Sequence, residues 1–200
     1  MERIGLLGGS FDPVHLGHLL VAQAAREELG LTRLFFVPAA QSPFKPEGRP
    51  APEAERLRLL RLALAGQAGC ELDDQEIRRG GTSYTVETVR DYARQFPQAQ
   101  LFYLIGADHV AQLPQWHQAE ELARLAEFVV IPRPGTGVEA PGPAGTTGAL
   151  PAPFRGRKLA GFPLGVSSSQ IRGRVKAGLP IELLVPGAVA EAIRNNRLYL

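Results

Sequence analysis

The chain has 200 residues, of which 44% are hydrophobic, enough for a continuous core. Its formal charge of +2 at pH 7 comes from both signs spread along the sequence, so no nucleic-acid partner is expected. The single cysteine, Cys70, excludes an intramolecular disulfide and a cysteine-based zinc site. With neither a secretory signal pattern nor an apolar run of about 18 residues, we expect a cytoplasmic protein with no membrane partner.

Predicted strands alternate with predicted helices along the chain. Short apolar runs ended by glycine or proline indicate buried strands, and apolar residues at helical spacing indicate amphipathic helices. Gly30 is a suitable stop for the first helix. In chain order we predict strand 3–7, helix 16–29, strand 34–37, a proline-rich loop at 39–52 placed to act as a lid, helix 53–65, strand 70–72, helix 84–95, strand 101–105, helix 119–126, strand 128–131, strand 158–166, and helices 168–177 and 186–194.

This alternation is typical of α/β proteins. We expect a Rossmann-like, doubly wound parallel sheet with helices on both faces and a small C-terminal helical part at about 168–195. Segment 134–153 is rich in glycine, proline, alanine and threonine and has hardly any charge, which predicts a flexible insertion. Residues 1–200 are expected to form a single domain.

The segment Gly8–His18, with the sequence GGSFDPVHLGH, joins the first predicted strand to the first predicted helix. Glycines at this place let the backbone approach a phosphate, and a helix N-terminus offers unpaired amides. The spacing matches neither a Walker loop nor the G-x-G-x-x-G fingerprint. His15 and His18 share one face of the first turn, where imidazoles can donate to phosphate oxygens. Taken alone, these residues also fit a tight turn, two metal ligands or a solvated helix start.

The same segment closely resembles the signature of the nucleotidyltransferase superfamily that contains the adenylyltransferases of cofactor synthesis. Together with the tail 196–199, the complete set of blocks resembles bacterial nicotinate-nucleotide adenylyltransferases. The further blocks are GGTSYTVET at 80–88, Gly106-Ala107-Asp108 followed by Leu113 and Trp116, VIPRP at 130–134, and VSSSQIR at 166–172.

The resemblance implies transfer of the adenylyl group of ATP to nicotinic acid mononucleotide, giving deamido-NAD and pyrophosphate in NAD biosynthesis. It implies that Mg²⁺ arrives with ATP, and we expect no protein metal site. The implied catalytic residues are His15 and His18. The implied ATP-binding residues are Gly8, Gly9, Ser10, Phe11, Gly106, Asp108, Arg133, Ser167, Ser168 and Arg172. The implied mononucleotide-binding residues are Lys45, Tyr84, Thr85, Trp116 and His117.

Three positions depart from the family pattern. Phe44 replaces the usual histidine beside Lys45, and Ser42 replaces a proline in the same block. His117 stands where the family often has tyrosine. If that position acts through its backbone amide, the change costs little.

The blocks also have structural interpretations. Thr82, Ser83 and Thr85 are suited to cap the helix that follows them, and Asp108 is suited to cap another. Ser167 and Gln170 form a capping-box pattern. The lone tryptophan, Trp116, is either a core residue or a platform that stacks on the pyridine ring.

Rival functions remain at this point. They are an adenylyltransferase specific for nicotinamide mononucleotide, a relative that acts on phosphopantetheine or glycerol phosphate, and a non-catalytic nucleotide-binding module. The last would lose the histidine pair or Arg172, and this chain has both.

Overall fold

A computed structural model describes residues 1–41, 50–132, 150–162 and 164–200 of the chain. Its centre is a six-stranded parallel sheet in the order β3-β2-β1-β4-β5-β6. The strands are β1 Arg3–Gly9, β2 Arg33–Pro38, β3 Cys70–Leu72, β4 Gln100–Gly106, β5 Glu127–Ile131 and β6 Gly156–Lys158. The strand order reverses between β1 and β4, and such a switch point is where open α/β sheets bind ligands.

Helices connect the strands and close the chain. The first, α1, ends at Gly30, whose left-handed φ of 59° lets its backbone N–H bond to the carbonyl of Arg26. The helices are α1 Leu16–Leu29, α2 Glu53–Leu64, α3 Gln75–Arg79, α4 Thr85–Gln95, a 3₁₀ helix Ala107–Gln115, α5 Ala119–Leu125, α6 Ser168–Lys176 and α7 Gly187–Asn195. The sequence did not predict α3 or the 3₁₀ helix.

Two apolar clusters lie on opposite faces of the sheet. Alternate residues of β1 divide between them, with Leu7 facing α1, α2, α6 and α7, and Ile4 and Leu6 facing α4 and α5. Because parallel strands are covered on both faces, they are apolar almost throughout. The prediction of a doubly wound sheet with helices on both faces is confirmed.

The predicted strand at 158–166 is wrong. Pairing with β5 ends at Lys158, and the chain then leaves the sheet. The backbone N–H groups of Ala160 and Gly161 donate instead to the carboxylate of Glu28 on α1, each at 2.8 Å. A side chain of another element therefore takes the donors that a strand ladder would have used.

Most of the predicted insertion at 134–153 lies outside the described residues. Immediately after this region, Phe154 is buried and its ring lies edge-on to Phe128 at 4.8 Å. No helix within the described part of the chain is long and apolar enough to cross a membrane.

Candidate active site

The carboxyl ends of β1 and β4 lie side by side at the switch point. Leu7 pairs with Leu104 near those ends, and Gly8 and Gly9 form the end of β1, where they still pair with β2. The glycines allow other groups to pack against the backbone. A Cβ on Gly8 would lie 2.5 Å from the Tyr103 hydroxyl, and one on Gly9 would lie 3.3 Å from the Phe11 ring.

Phe11 shapes the loop between β1 and α1. It has a left-handed φ of 45°, which is uncommon outside glycine, and it is only 1% exposed. Its ring packs against His18 at 4.9 Å and Phe36 at 5.6 Å between centroids. The aromatic ring thus supports the loop from the core and offers no face to a ligand.

His15 and His18 lie together at the N-terminus of α1. Their ring centroids are 3.7 Å apart with an interplanar angle of 26°. The backbone N–H of His15 donates to Nδ1 of His18 at 3.2 Å, so the proton of a neutral His18 ring is on Nε2. A Cβ on Gly17 would lie 3.0 Å from both the His15 ring and Val166, which explains the glycine between the two histidines.

The N-terminus of α6 packs against the same loop. The Ser168 hydroxyl donates to the Pro13 carbonyl at 2.9 Å, and Nη1 of Arg172 donates to the Asp12 carbonyl at 2.6 Å. The predicted capping box is present, with the Ser167 hydroxyl accepting from the Gln170 N–H. Two helix N-termini therefore converge on the loop, and each carries partial positive charge.

A buried arginine donates hydrogen bonds to the backbone of the loop. Arg56 on α2 is 0% exposed, and its Nη1 donates to the carbonyls of Ser10 and Ala39 at 2.9 Å each. Its Nε donates to the Ala51 carbonyl at 3.2 Å. Burial lowers the pKa of the guanidinium, while the Asp12 carboxylate acts to raise it. Our sequence analysis did not identify Arg56 as a buried residue. Its position on the same helix face as the apolar Leu59, Leu60 and Ala63 does indicate that it is buried.

Asp12 is the second residue that the sequence analysis did not single out. It is 6% exposed, and its Oδ1 accepts from the Ala51 N–H at 3.1 Å and from the Tyr199 hydroxyl at 2.9 Å. Its Oδ2 lies 3.6 Å from Nη1 of Arg172. Asp12 thus connects the phosphate-binding loop to α6 and to the C-terminal residues.

The N-terminus of α4 lies on the other side of Tyr103. The Thr85 hydroxyl is 3.4 Å from the Tyr103 hydroxyl, which also neighbours Gly8. The Tyr84 ring lies 4.5 Å from the His117 ring. Tyr103 therefore separates the loop after β1 from the Tyr84–Thr85 block.

The interpretation of Thr82, Ser83 and Thr85 as caps of α4 is wrong, since the N-cap residue is Tyr84 and its side chain forms no capping hydrogen bond. The Ser83 hydroxyl instead accepts from the Ala40 N–H at 3.0 Å. The backbone N–H of Ser83 donates to the Gln41 carbonyl at 2.9 Å, which holds Ser83 beside this segment. The first amides of α4 consequently have no side-chain acceptor from these residues.

The residues that follow β4 line the same edge of the sheet. Trp116 is half-buried and packs edge-on to Tyr103 at 6.1 Å and to Phe128 at 6.3 Å. Trp116 therefore packs into the core, although part of its indole remains exposed. Asp108 does not cap the 3₁₀ helix, whose N-cap is Gly106 with no side-chain cap, and its carboxylate lies 3.5 Å from Nε2 of His109.

Comparison with known proteins identifies the family. The sequence profile of the cytidylyltransferase-like family matches residues 6–174. A probable nicotinate-nucleotide adenylyltransferase of Opitutus terrae is 40% identical over 201 residues, covering 98% of this chain and 97% of that protein. One of Synechococcus sp. (strain JA-3-3Ab) is 42% identical over 199 residues, covering 100% and 95%. The chain belongs to the cytidylyltransferase-like family, among its nicotinate-nucleotide adenylyltransferases. It is therefore a nucleotidyltransferase.

A solved structure supports the fold of this nucleotidyltransferase. It is Plasmodium falciparum nicotinic acid mononucleotide adenylyltransferase complexed with NaAD, with a TM-score of 0.78 and 15% identity. The match covers 100% of this chain and 98% of that one.

The structure gathers most of the predicted site residues of this nucleotidyltransferase at one edge of the sheet. Around the phosphate-binding loop lie Gly8, Gly9, Ser10, His15, His18, Ser168 and Arg172, and around Tyr103 lie Thr85 and Trp116. Lys45 and Arg133, with Ser42 and Phe44, lie outside the described residues, as does most of the predicted lid loop.

Proposed function

We propose that this protein transfers the adenylyl group of ATP to nicotinic acid mononucleotide, giving deamido-NAD and pyrophosphate in NAD biosynthesis. The observation that carries the proposal is the convergence of α1 and α6 on the loop after β1. There Arg172 and Ser168 bond to the backbone of Asp12 and Pro13, at 2.6 Å and 2.9 Å. In this arrangement, the triphosphate of ATP would bind to two helix N-termini, two histidines and an arginine.

ATP would lie across the switch point. Gly8, Gly9, Ser10 and Phe11 shape the loop that admits its phosphates, and Ser167, Ser168 and Arg172 bind them from α6. Gly106 would give room for the nucleoside, and Asp108 would accept hydrogen bonds from its ribose. Arg133 is assigned to ATP by resemblance to the family alone.

The acceptor would bind between α4 and the 3₁₀ helix. The uncapped amides beside Thr85 suit the nicotinate carboxylate, because a helix N-terminus favours an anion. Trp116 would stack on the pyridine ring, and Tyr84 and His117 would close the site beside it. Lys45 would bind the acceptor's phosphate, an assignment that rests on resemblance alone.

The reaction is an in-line displacement at the α-phosphorus of ATP. An oxygen of the mononucleotide's 5′-phosphate forms the new P–O bond, while the bond from the α-phosphorus to the bridging oxygen breaks and pyrophosphate leaves. The nucleophile is already anionic near neutral pH, so the site needs no general base. The protein positions both nucleotides and neutralises developing charge, for which Nε2–H of His18 is a suitable donor.

A divalent metal would reach this site with ATP. Over residues 1–41, 50–132, 150–162 and 164–200, no cluster of three histidine, cysteine or acidic side chains could hold one. The carboxylate within the loop, that of Asp12, already accepts two hydrogen bonds. Mg²⁺ bound to the ATP phosphates and water would neutralise charge on the leaving pyrophosphate.

We propose that residues 1–200 form one nucleotidyltransferase domain. Both apolar clusters share a single sheet, and the C-terminal helices α6 and α7 pack into the cluster that also contains α1 and α2.

The deciding experiment measures pyrophosphate release with ATP and Mg²⁺, comparing nicotinic acid mononucleotide with nicotinamide mononucleotide. We expect a strong preference for the acid. Comparable rates would support the adenylyltransferase activity but contradict the anion site beside Thr85. No pyrophosphate release with either mononucleotide would indicate another acceptor or a non-catalytic binding module. Gln23→Ala on the exposed face of α1 is a control that should retain full activity.

A further inference from the structure

Tyr199, one residue from the end of the chain, contacts the phosphate-binding loop. Its hydroxyl donates to Oδ1 of Asp12 at 2.9 Å, across a separation of 187 residues. Asp12 is buried, and the same Oδ1 accepts from the Ala51 N–H at 3.1 Å. Burial and the Asp12 charge raise the pKa of Tyr199, so its hydroxyl keeps its proton near neutral pH.

The other carboxylate oxygen forms a long ion pair with Arg172. Oδ2 of Asp12 is 3.6 Å from Nη1 of Arg172, whereas the same Nη1 lies 2.6 Å from the Asp12 carbonyl. The guanidinium is therefore anchored mainly to backbone, its Nη2 also donates to the Ser169 hydroxyl at 3.3 Å, and its side chain remains 35% exposed. The two donors on Oδ1 hold the carboxylate in this orientation.

We propose that Tyr199 is a positioning residue that keeps the ion pair between Asp12 and Arg172 long and so leaves the guanidinium for the phosphates of ATP. This inference rests on the proposed function, which assigns Arg172 to ATP. Without the hydroxyl, Oδ1 loses one of two donors at a buried site. The carboxylate then turns toward the nearest cation, because charge-assisted arginine–carboxylate pairs are the stronger bonds. ATP must break that pair to bind.

The test is Tyr199→Phe, which removes one hydroxyl and keeps the ring. We expect the Kd of ATP with Mg²⁺, measured by calorimetry, to rise about fivefold to tenfold, with the KM for the mononucleotide unchanged. Tyr92→Phe is the matched control, since the Tyr92 hydroxyl also donates to a carboxylate, Oδ2 of Asp73, at 2.6 Å. It should leave the Kd within about twofold.

A double-mutant cycle separates positioning from general support of the fold. Asparagine at position 12 still accepts from the Ala51 N–H but forms no charged pair with Arg172. In the Asp12→Asn background, Tyr199→Phe should change the Kd of ATP by less than about twofold. Equal effects in both backgrounds would overturn the inference. So would a Tyr199→Phe protein that melts lower but binds ATP normally.

The binding measurement needs no acceptor, so it distinguishes this inference from the proposed function. A wild-type protein that binds ATP but releases no pyrophosphate with either mononucleotide contradicts the proposed reaction alone. The response to Tyr199→Phe then still decides the role of Tyr199. A wild-type protein that binds no ATP overturns both.

Discussion

The backbone N–H of His15 donates to Nδ1 of His18, the third residue after it, at 3.2 Å. One bond has two effects, because it satisfies a backbone donor at the start of α1 and directs the Nε2 proton of His18 away from the helix. The stacked His15 ring, 3.7 Å away between centroids, limits the orientations of the His18 ring. Helix capping and the proposed donation to phosphate therefore depend on opposite sides of one imidazole.

His18→Asn should separate these two effects. The asparagine oxygen can replace Nδ1 as the acceptor, but nothing replaces Nε2–H. We expect kcat to fall by about 100-fold to 1,000-fold while the Kd of ATP changes only a few-fold. His18→Ala should add a loss of stability of about 1 kcal/mol, measured by urea unfolding, because the His15 N–H loses its acceptor. Equal losses in kcat and in ATP affinity would contradict a transition-state role.

Trp116→Ala should raise the KM for nicotinic acid mononucleotide about tenfold and leave the KM for ATP within about twofold. The physical reason is loss of the flat surface on which the pyridine ring would stack. Since Trp116 also packs against Phe128, the control is Trp116→Phe, which keeps an aromatic face. Steady-state kinetics with each substrate varied decides the matter. An unchanged KM for the mononucleotide would leave Trp116 as a core residue only.

Gly8→Ala should be rescued by a second substitution. The new Cβ would lie 2.5 Å from the Tyr103 hydroxyl oxygen, whereas the next Tyr103 atom, Cζ, is 3.4 Å away. We expect Gly8→Ala to cost about 1–3 kcal/mol of unfolding free energy, and Tyr103→Phe in the same chain to recover most of it. Urea unfolding of both single variants and the double variant checks this. Additive losses would mean that the alanine disturbs the loop in another way.

The free energy of unfolding of Glu76→Gln should increase relative to that of the wild type as the pH rises. Burial raises the pKa of Glu76, with a contribution from Asp73, although Thr88, Ser83 and Arg79 oppose the shift. The folded state therefore holds the proton more tightly than the unfolded state. This contribution to stability is complete below the ordinary glutamate pKa of about 4.3 and is lost as the pH rises through the folded pKa.

Glutamine mimics the protonated acid and can still accept from Thr88, whose hydroxyl lies 2.6 Å from Oε1 of Glu76. Urea unfolding of both proteins at about pH 5 and about pH 8 measures the effect. A difference in unfolding free energy that does not vary with pH would show that Glu76 is ionised in both states throughout this range.

Local pattern was sufficient for much of the fold. The helix at Leu16–Leu29 and the strand at Cys70–Leu72 have the predicted bounds. Both signals are short-range, since apolar spacing and a terminal glycine act within a few residues. The strand predicted at 158–166 was wrong because a moderately apolar run does not show whether its amides pair with a neighbouring strand or with a side chain such as that of Glu28.

Contiguous residues were enough to predict the fold class, the loop Gly8–His18 and the family, because each of these has a local sequence pattern. How Asp12, Arg56 and Tyr199 contact that loop depends on distant residues that meet only in the folded chain. The partners of Arg56 are backbone carbonyls, which every residue possesses, so side-chain identity cannot predict them. The contact between Tyr199 and Asp12 exists only after folding has brought residues 187 positions apart into hydrogen-bonding distance.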